Sequence, residues 1–193
     1  MKNSSKWGNI FSISGKTYKC PYCNSIVAPS YGYFNTERNV ENRLRRDYIF
    51  ICPNCNQPTY LDTSYNQYPG PKFGNDISNL PDSVLSIYDQ ARNCMSVNAF
   101  TASVMLCRKI IMNASVNHGA KEGESFAFYI DYLFDNHYIP INSKKWVDNI
   151  RSKGNVANHK IEDIKREEAE DILKFTEVLL RNLYEFQSPT TKD

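Results

Sequence analysis

Long apolar runs are missing from this sequence. No stretch approaches the roughly 18 consecutive apolar residues that a membrane-spanning helix needs, and the opening MKNSSKWGNIF lacks the apolar core of a secretory leader. A cytoplasmic protein with no membrane partner is therefore expected. Internal repeats are absent too. With 41% hydrophobic and 23% charged residues, the composition excludes wholesale disorder and a fibrous architecture. Histidine is scarce, with three in 193 residues, so each can be weighed singly.

Cysteine is the exception to this sparseness. Of the six, Cys20 and Cys23 stand in CPYC, and Cys52 and Cys55 in CPNC, with 28 residues between the pairs. Two thiolates from one tight turn can face a common point, and two such turns supply four sulfurs to a tetrahedral ion. Without a secretory leader this pattern points to metal rather than to disulfides. The expected cofactor is one structural Zn2+ per chain, because four thiolates leave no open position for catalysis. Cys94 and Cys107 are then expected as ordinary buried thiols.

Charge is unevenly shared. Residues 1–75 hold nine Lys and Arg against four Asp and Glu, and residues 76–193 hold fourteen against seventeen. Strand-like runs at 46–51 and 58–61 mark residues 1–61 as a small β ribbon. Pro69, Gly70, Pro71 and Gly74 punctuate residues 62–80, which read as a linker. Residues 81–187 then show the period of helices. Val84, Ile87, Tyr88, Ala91 and Met95 stripe a first helix with Asp82 available as its cap, and a second ends at Gly119. A third is expected over Ser125–Asn136, a fourth through Trp146 and Ile150 with its end at Gly154, and a fifth from Ile161 to Phe186. Residues 188–193 read as a disordered tail. The fold class is α+β, a small β zinc ribbon followed by an antiparallel helical bundle.

Two groups of polar residues carry a choice of readings. In the ribbon, Arg38, Arg43, Arg45 and Arg46 interleave with Tyr31, Tyr33, Phe34 and Tyr48. Such a surface can grip phosphates and stack on bases. With Glu37, Glu41 and Asp47 in the same segment, a solvated loop over a small core is the simpler reading. In the helical part, His118 reads as a helix-terminal residue and His137 as a surface turn. Arg151, Asn155 and His159 recur every four residues and share one face if the helix continues across Asn155. They can hold a phosphate and move a proton, or they can serve as a cap and a packed imidazole. Arg108 on the second helix can supply a further phosphate contact or a salt bridge to Asp131 or Asp135.

The succession CPYC, CPNC, YPGP at 68–71, LPDSVLSIYDQA at 80–91, LCRKI at 106–110 and IRSKGNVANH at 150–159 resembles the domain of unknown function 4145 family. That family is similar to the HEPN superfamily of helical domains, many of which are metal-independent ribonucleases of toxin and phage-defence systems. The resemblance implies an HEPN-like bundle in which His159 is the catalytic acid or base, Arg151 stabilises phosphate charge and Asn155 positions it. Seven residues separate Arg151 from His159, a longer gap than the best-known HEPN nucleases have, while five residues separate Lys153 from His159. The implied function is a ribonuclease effector of an anti-phage or toxin-type system, with RNA as substrate and Lys153, Arg108, Arg43, Arg45 and Arg46 as candidate substrate contacts. A homodimer or larger assembly and a phage or host trigger protein are the implied partners. The alternative is a non-catalytic module that binds nucleic acid or protein and scaffolds a defence or restriction assembly.

Overall fold

The computed structural model describes residues 7–38, 44–159 and 163–186. The chain forms two compact units that divide between Lys72 and Phe73. Together they are α+β, an antiparallel sheet unit followed by five helices. No helix among the described residues is long and apolar enough to cross a membrane.

The first unit contains β1 (Phe11–Ser12), β2 (Tyr18–Lys19), β3 (Ile26–Val27), β4 (Tyr31–Arg38), β5 (Leu44–Ile51), β6 (Pro58–Leu61) and β7 (Gln67–Tyr68). Five strands make an antiparallel sheet in the order β1-β4-β5-β6-β7, and β2 pairs with β3 in a separate hairpin. The register sets Gly32 opposite Phe50, Phe34 opposite Tyr48 and Phe50 opposite Thr59. Because alternate residues of a strand face opposite sides, Phe50, Thr59 and Leu61 turn to one side and are buried there with Tyr18 and Val27. Gly32 is required in this arrangement, since a Cβ there would collide with the Ile49 carbonyl oxygen and meet Ile13 Cδ1 at 2.8 Å.

The second unit comprises α1 (Asp82–Ser96), α2 (Phe100–Asn117), α3 (Phe126–Asp135), α4 (Lys144–His159) and α5 (Arg166–Leu180), the last continued by a π-helical turn at Arg181–Glu185. The stripe expected on α1 is the one that packs, with Tyr88, Ala91 and Met95 buried, although Asp82 is the first helical residue and makes no cap bond. Helix α2 packs against α1, α3, α4 and α5 and buries Val104, Cys107, Ile111 and Ala114. Gly119 has φ +101° just beyond it, the left-handed stop its sequence indicates.

Residues 62–80 are not all linker. Gln67 and Tyr68 pair with Leu61 and Tyr60 as an edge strand. Further on, Arg92, 2% exposed, donates from Nε to Phe73 O at 3.1 Å, from Nη2 to Gly74 O at 3.2 Å and from Nη1 to Asp76 at 2.6 Å. Asn75 donates from its backbone N and its Nδ2 to the Glu177 carboxylate at 3.0 and 2.9 Å. Ile77 is buried in the helical core, and Phe73 and Leu80 pack against it. Buried polar groups need partners, and here the carbonyls and amides of residues 73–76 are those partners.

Candidate metal centre and the signature helix

The two cysteine pairs sit on matching turns. Between β2 and β3, Cys20 N donates to Ser25 O at 2.9 Å and Asn24 N to Cys20 O at 3.0 Å. Between β5 and β6, Cys52 N donates to Gln57 O at 3.0 Å and Asn56 N to Cys52 O at 2.9 Å. Asn24 and Asn56 lie at φ +60° and +58°, a left-handed conformation that asparagine tolerates better than most residues. Each turn is thus a CPxCN knuckle at the tip of an antiparallel hairpin, and the asparagine that closes it is legible only once the two copies are aligned.

The knuckles bring four sulfurs within 4.8 Å of one another. Cys20 and Cys55 Sγ are 3.7 Å apart, and Cys23 and Cys52 Sγ 3.8 Å. A regular tetrahedron with metal–sulfur bonds of about 2.3 Å has sulfurs about 3.8 Å apart, so the cluster has the dimensions of a four-thiolate metal site. Cys20 and Cys52 are buried, Cys23 and Cys55 half-buried. Asn54 Nδ2 donates to Cys23 Sγ at 3.4 Å and to Ser25 Oγ at 3.1 Å, which ties one knuckle to the other.

The electrostatics of the cluster suit a cation. Burial, and then the other three sulfurs, push the Cys55 thiol up to about 12. Burial likewise raises Cys20. Burial also disfavours the Cys23 thiolate, but the Asn54 amide and the Ser25 backbone N–H overcome it and draw that thiol down to about 6. Four adjacent sulfurs cannot all ionise unless positive charge lies among them. The four cysteines could therefore hold one metal ion.

The helical signature differs from expectation in its backbone. Gly154 does not end the fourth helix: α4 is unbroken from Lys144 to His159. At 3.6 residues per turn, Arg151, Asn155 and His159 then occupy successive turns of one face, whereas Lys153 stands about 200° round the helix from Arg151. The side chains of 152–159 lie outside the described residues. Arg151 Nη1 reaches Asp131 Oδ1 at 3.0 Å and its Nη2 reaches Asp148 Oδ1 at 3.1 Å, with the side chain 41% exposed.

The salt bridge considered for Arg108 with Asp131 or Asp135 is not formed among the described residues, because Arg151 takes Asp131. Arg108 is instead buried, 5% exposed, with Cζ 4.1 Å from the centre of the Phe126 ring. His118 occupies the helix end expected of it, Nδ1 lying 2.8 Å from Ala114 O. His137 is exposed at φ +64°.

In the ribbon, the Arg46 guanidinium lies 4.9 Å from the centre of the Phe34 ring. Arg45 lies on β5, in register with Glu37, and Arg43 lies outside the described residues. On the face opposite the core, Tyr33, Ile49, Tyr60 and Tyr68 are successive cross-strand neighbours, and the last three are 39%, 39% and 47% exposed.

A family model described as "Domain of unknown function (DUF4145)" matches residues 89–192. No curated protein and no solved structure matches the chain.

Proposed function

From the premise that this chain belongs to the DUF4145 family, we propose that it is an HEPN-like, metal-independent ribonuclease whose zinc ribbon is structural. The observation that carries the reading is the continuity of α4, which sets Arg151, Asn155 and His159 on successive turns. An imidazole with an ordinary pKa near 6.5 can take a proton from a ribose 2′-hydroxyl and return one to the leaving 5′-oxygen. The Arg151 guanidinium would face the charge that develops on the phosphate, and the Asn155 amide would orient it. The products are then a 2′,3′-cyclic phosphate and a 5′-hydroxyl.

The metal assigned to the four cysteines is Zn2+, one per chain. Four thiolates saturate a tetrahedral ion, so its contribution is to hold the knuckles together. Cytoplasmic action against phage, in a homodimer or larger assembly that a phage or host trigger releases, fits an enzyme that would otherwise damage its own cell.

One observation favours a second reading, in which the bundle only scaffolds nucleic acid or protein. Arg151 already has two carboxylate partners, Asp131 and Asp148, and a guanidinium so engaged has less charge to offer a phosphate. Expression of wild type and His159→Ala at matched levels in a bacterial host, with and without phage, separates the two. RNA breakdown and growth arrest are expected with the wild type only. Equal behaviour of the two proteins under every condition would move the assignment to the scaffold.

A further inference from the structure

Among the described residues of the helical unit, Arg108 is a buried charge that the proposed reaction leaves unexplained. The residue is 5% exposed, and its Nη1 has no hydrogen-bond partner. Among the described residues it makes no hydrogen bond and no ion pair. Its guanidinium lies over the face of the Phe126 ring. Burial also lowers its pKa, with no neighbouring carboxylate to oppose that shift. The acidic side chains of the flanking elements are otherwise engaged or distant: Glu124 pairs with Lys121, Asp131 with Arg151, and Asp135 is exposed at the far end of α3. A guanidinium offers five in-plane donors and stays charged at neutral pH. A buried charge without a counter-ion is strongly unfavourable, and proteins rarely keep one without a use.

A helix N-terminus lies beside Arg108. Phe126 is the first residue of α3, a ten-residue helix capped by Ser125 Oγ, which accepts from Phe128 N at 3.2 Å. Its first turn holds no acidic residue, and Glu124 just before the cap is paired with Lys121. The chain reverses through a 3-10 turn at Ile141–Ser143, so α4 runs back along α3. The Asp131–Arg151 pair fixes their register. Arg108 and the N-terminus of α3 therefore meet at Phe126.

We propose that Arg108 is the anchor of an internal oxyanion site, taking a phosphate-class group in the plane of its guanidinium while Phe126 covers one face. That the group is an RNA phosphodiester rests on the ribonuclease reading above; the site itself does not.

The test is thermal unfolding of the full, zinc-loaded chain in sodium phosphate against sodium chloride at equal ionic strength. Phosphate is expected to raise the Tm of the wild type, increasingly with concentration. Arg108→Met keeps the stem of the side chain and removes the charge. It should start at a higher Tm than the wild type and show no phosphate-specific rise. Persistence of that rise in Arg108→Met, its absence from the wild type, or failure of Arg108→Met to fold would each overturn the proposal. A short single-stranded RNA in place of phosphate identifies the source of the oxyanion: a rise with RNA that Arg108→Met abolishes marks a nucleic acid, and a rise with phosphate alone marks the free ion. The phosphate response is read on the free ion and needs no RNA cleavage, so the two assignments can fail separately.

Discussion

Removing the metal should unfold one unit and spare the other. In the ribbon, two of the six core residues, Cys20 and Cys52, belong to the proposed ligand set, beside Tyr18, Val27, Phe50 and Leu61. Binding of zinc to a structural four-ligand site is worth about 10–16 kcal/mol near neutral pH, at least as large as the roughly 5–15 kcal/mol that keeps an ordinary domain folded. The ribbon is therefore expected to have no stable apo form. The core of the helical unit runs from Ile77 to Leu183 and contains none of these residues, so it should persist. Substituting Cys52→Ser, or dialysing against a strong chelator, should take zinc from one per chain to near zero by mass spectrometry. In a two-dimensional amide NMR spectrum, resonances of residues 7–72 should collapse into the random-coil region while those of the helices keep their dispersion. A ribbon that keeps dispersed resonances without zinc, or a Cys52→Ser protein that still holds one ion, would refute the ligand set and the role given to it.

Other expectations concern packing. Burial by itself would raise the Glu177 pKa, but its bonds to Asn75 and Arg181 hold the carboxyl below the ordinary value. A carboxyl depressed in the folded state adds stability that is complete above its unfolded pKa near 4.3 and is lost as pH falls through the folded value. Glu177→Gln should cost about 2 kcal/mol at pH 7, because it sets an amide N–H2 against three donors. The helical transition should then fall by about 8 °C, and urea midpoints of wild type and variant should converge as pH drops from neutral toward 3. A constant gap between them would discount the carboxylate. Gly32→Ala must displace Ile49 of the neighbouring strand. A loss of about 3 kcal/mol or more in the ribbon is expected, measurable as faster zinc release to a chelator, and an unchanged release rate would contradict the packing described.

Short-range signals were legible in the sequence wherever the chemistry is local. Two CxxC pairs in strand-like surroundings specify a sulfur cluster because both knuckles are closed by bonds within six residues, Cys20 to Ser25 and Cys52 to Gln57. The stripe on α1 and the left-handed Gly119 are equally local. Punctuation by glycine and proline was the misleading signal. It marked 62–80 as linker, yet the buried Arg92 and Glu177 recruit residues 73–76, and that recruitment depends on groups up to 102 positions away in the chain. Gly154 misled in the same way: a glycine weakens a helix by about 1 kcal/mol, which the packing of Val147 and Ile150 into the core can offset.

The sequence by itself thus determined the α+β division, the cluster of four sulfurs and the existence of the helices, since each follows from neighbours a few residues apart. Only the tertiary structure decided which charges are spent and which are free. Arg151 and Arg108 are alike in the sequence, two arginines on amphipathic helices. Packing gives one a pair of carboxylates, Asp131 and Asp148, and leaves the other buried against Phe126 with no counter-ion among the described residues. Asp148 is a neighbour on the same helix, but Asp131 and Phe126 are brought in by how helices cross, which is set by the fit of whole faces rather than by any residue's own preference.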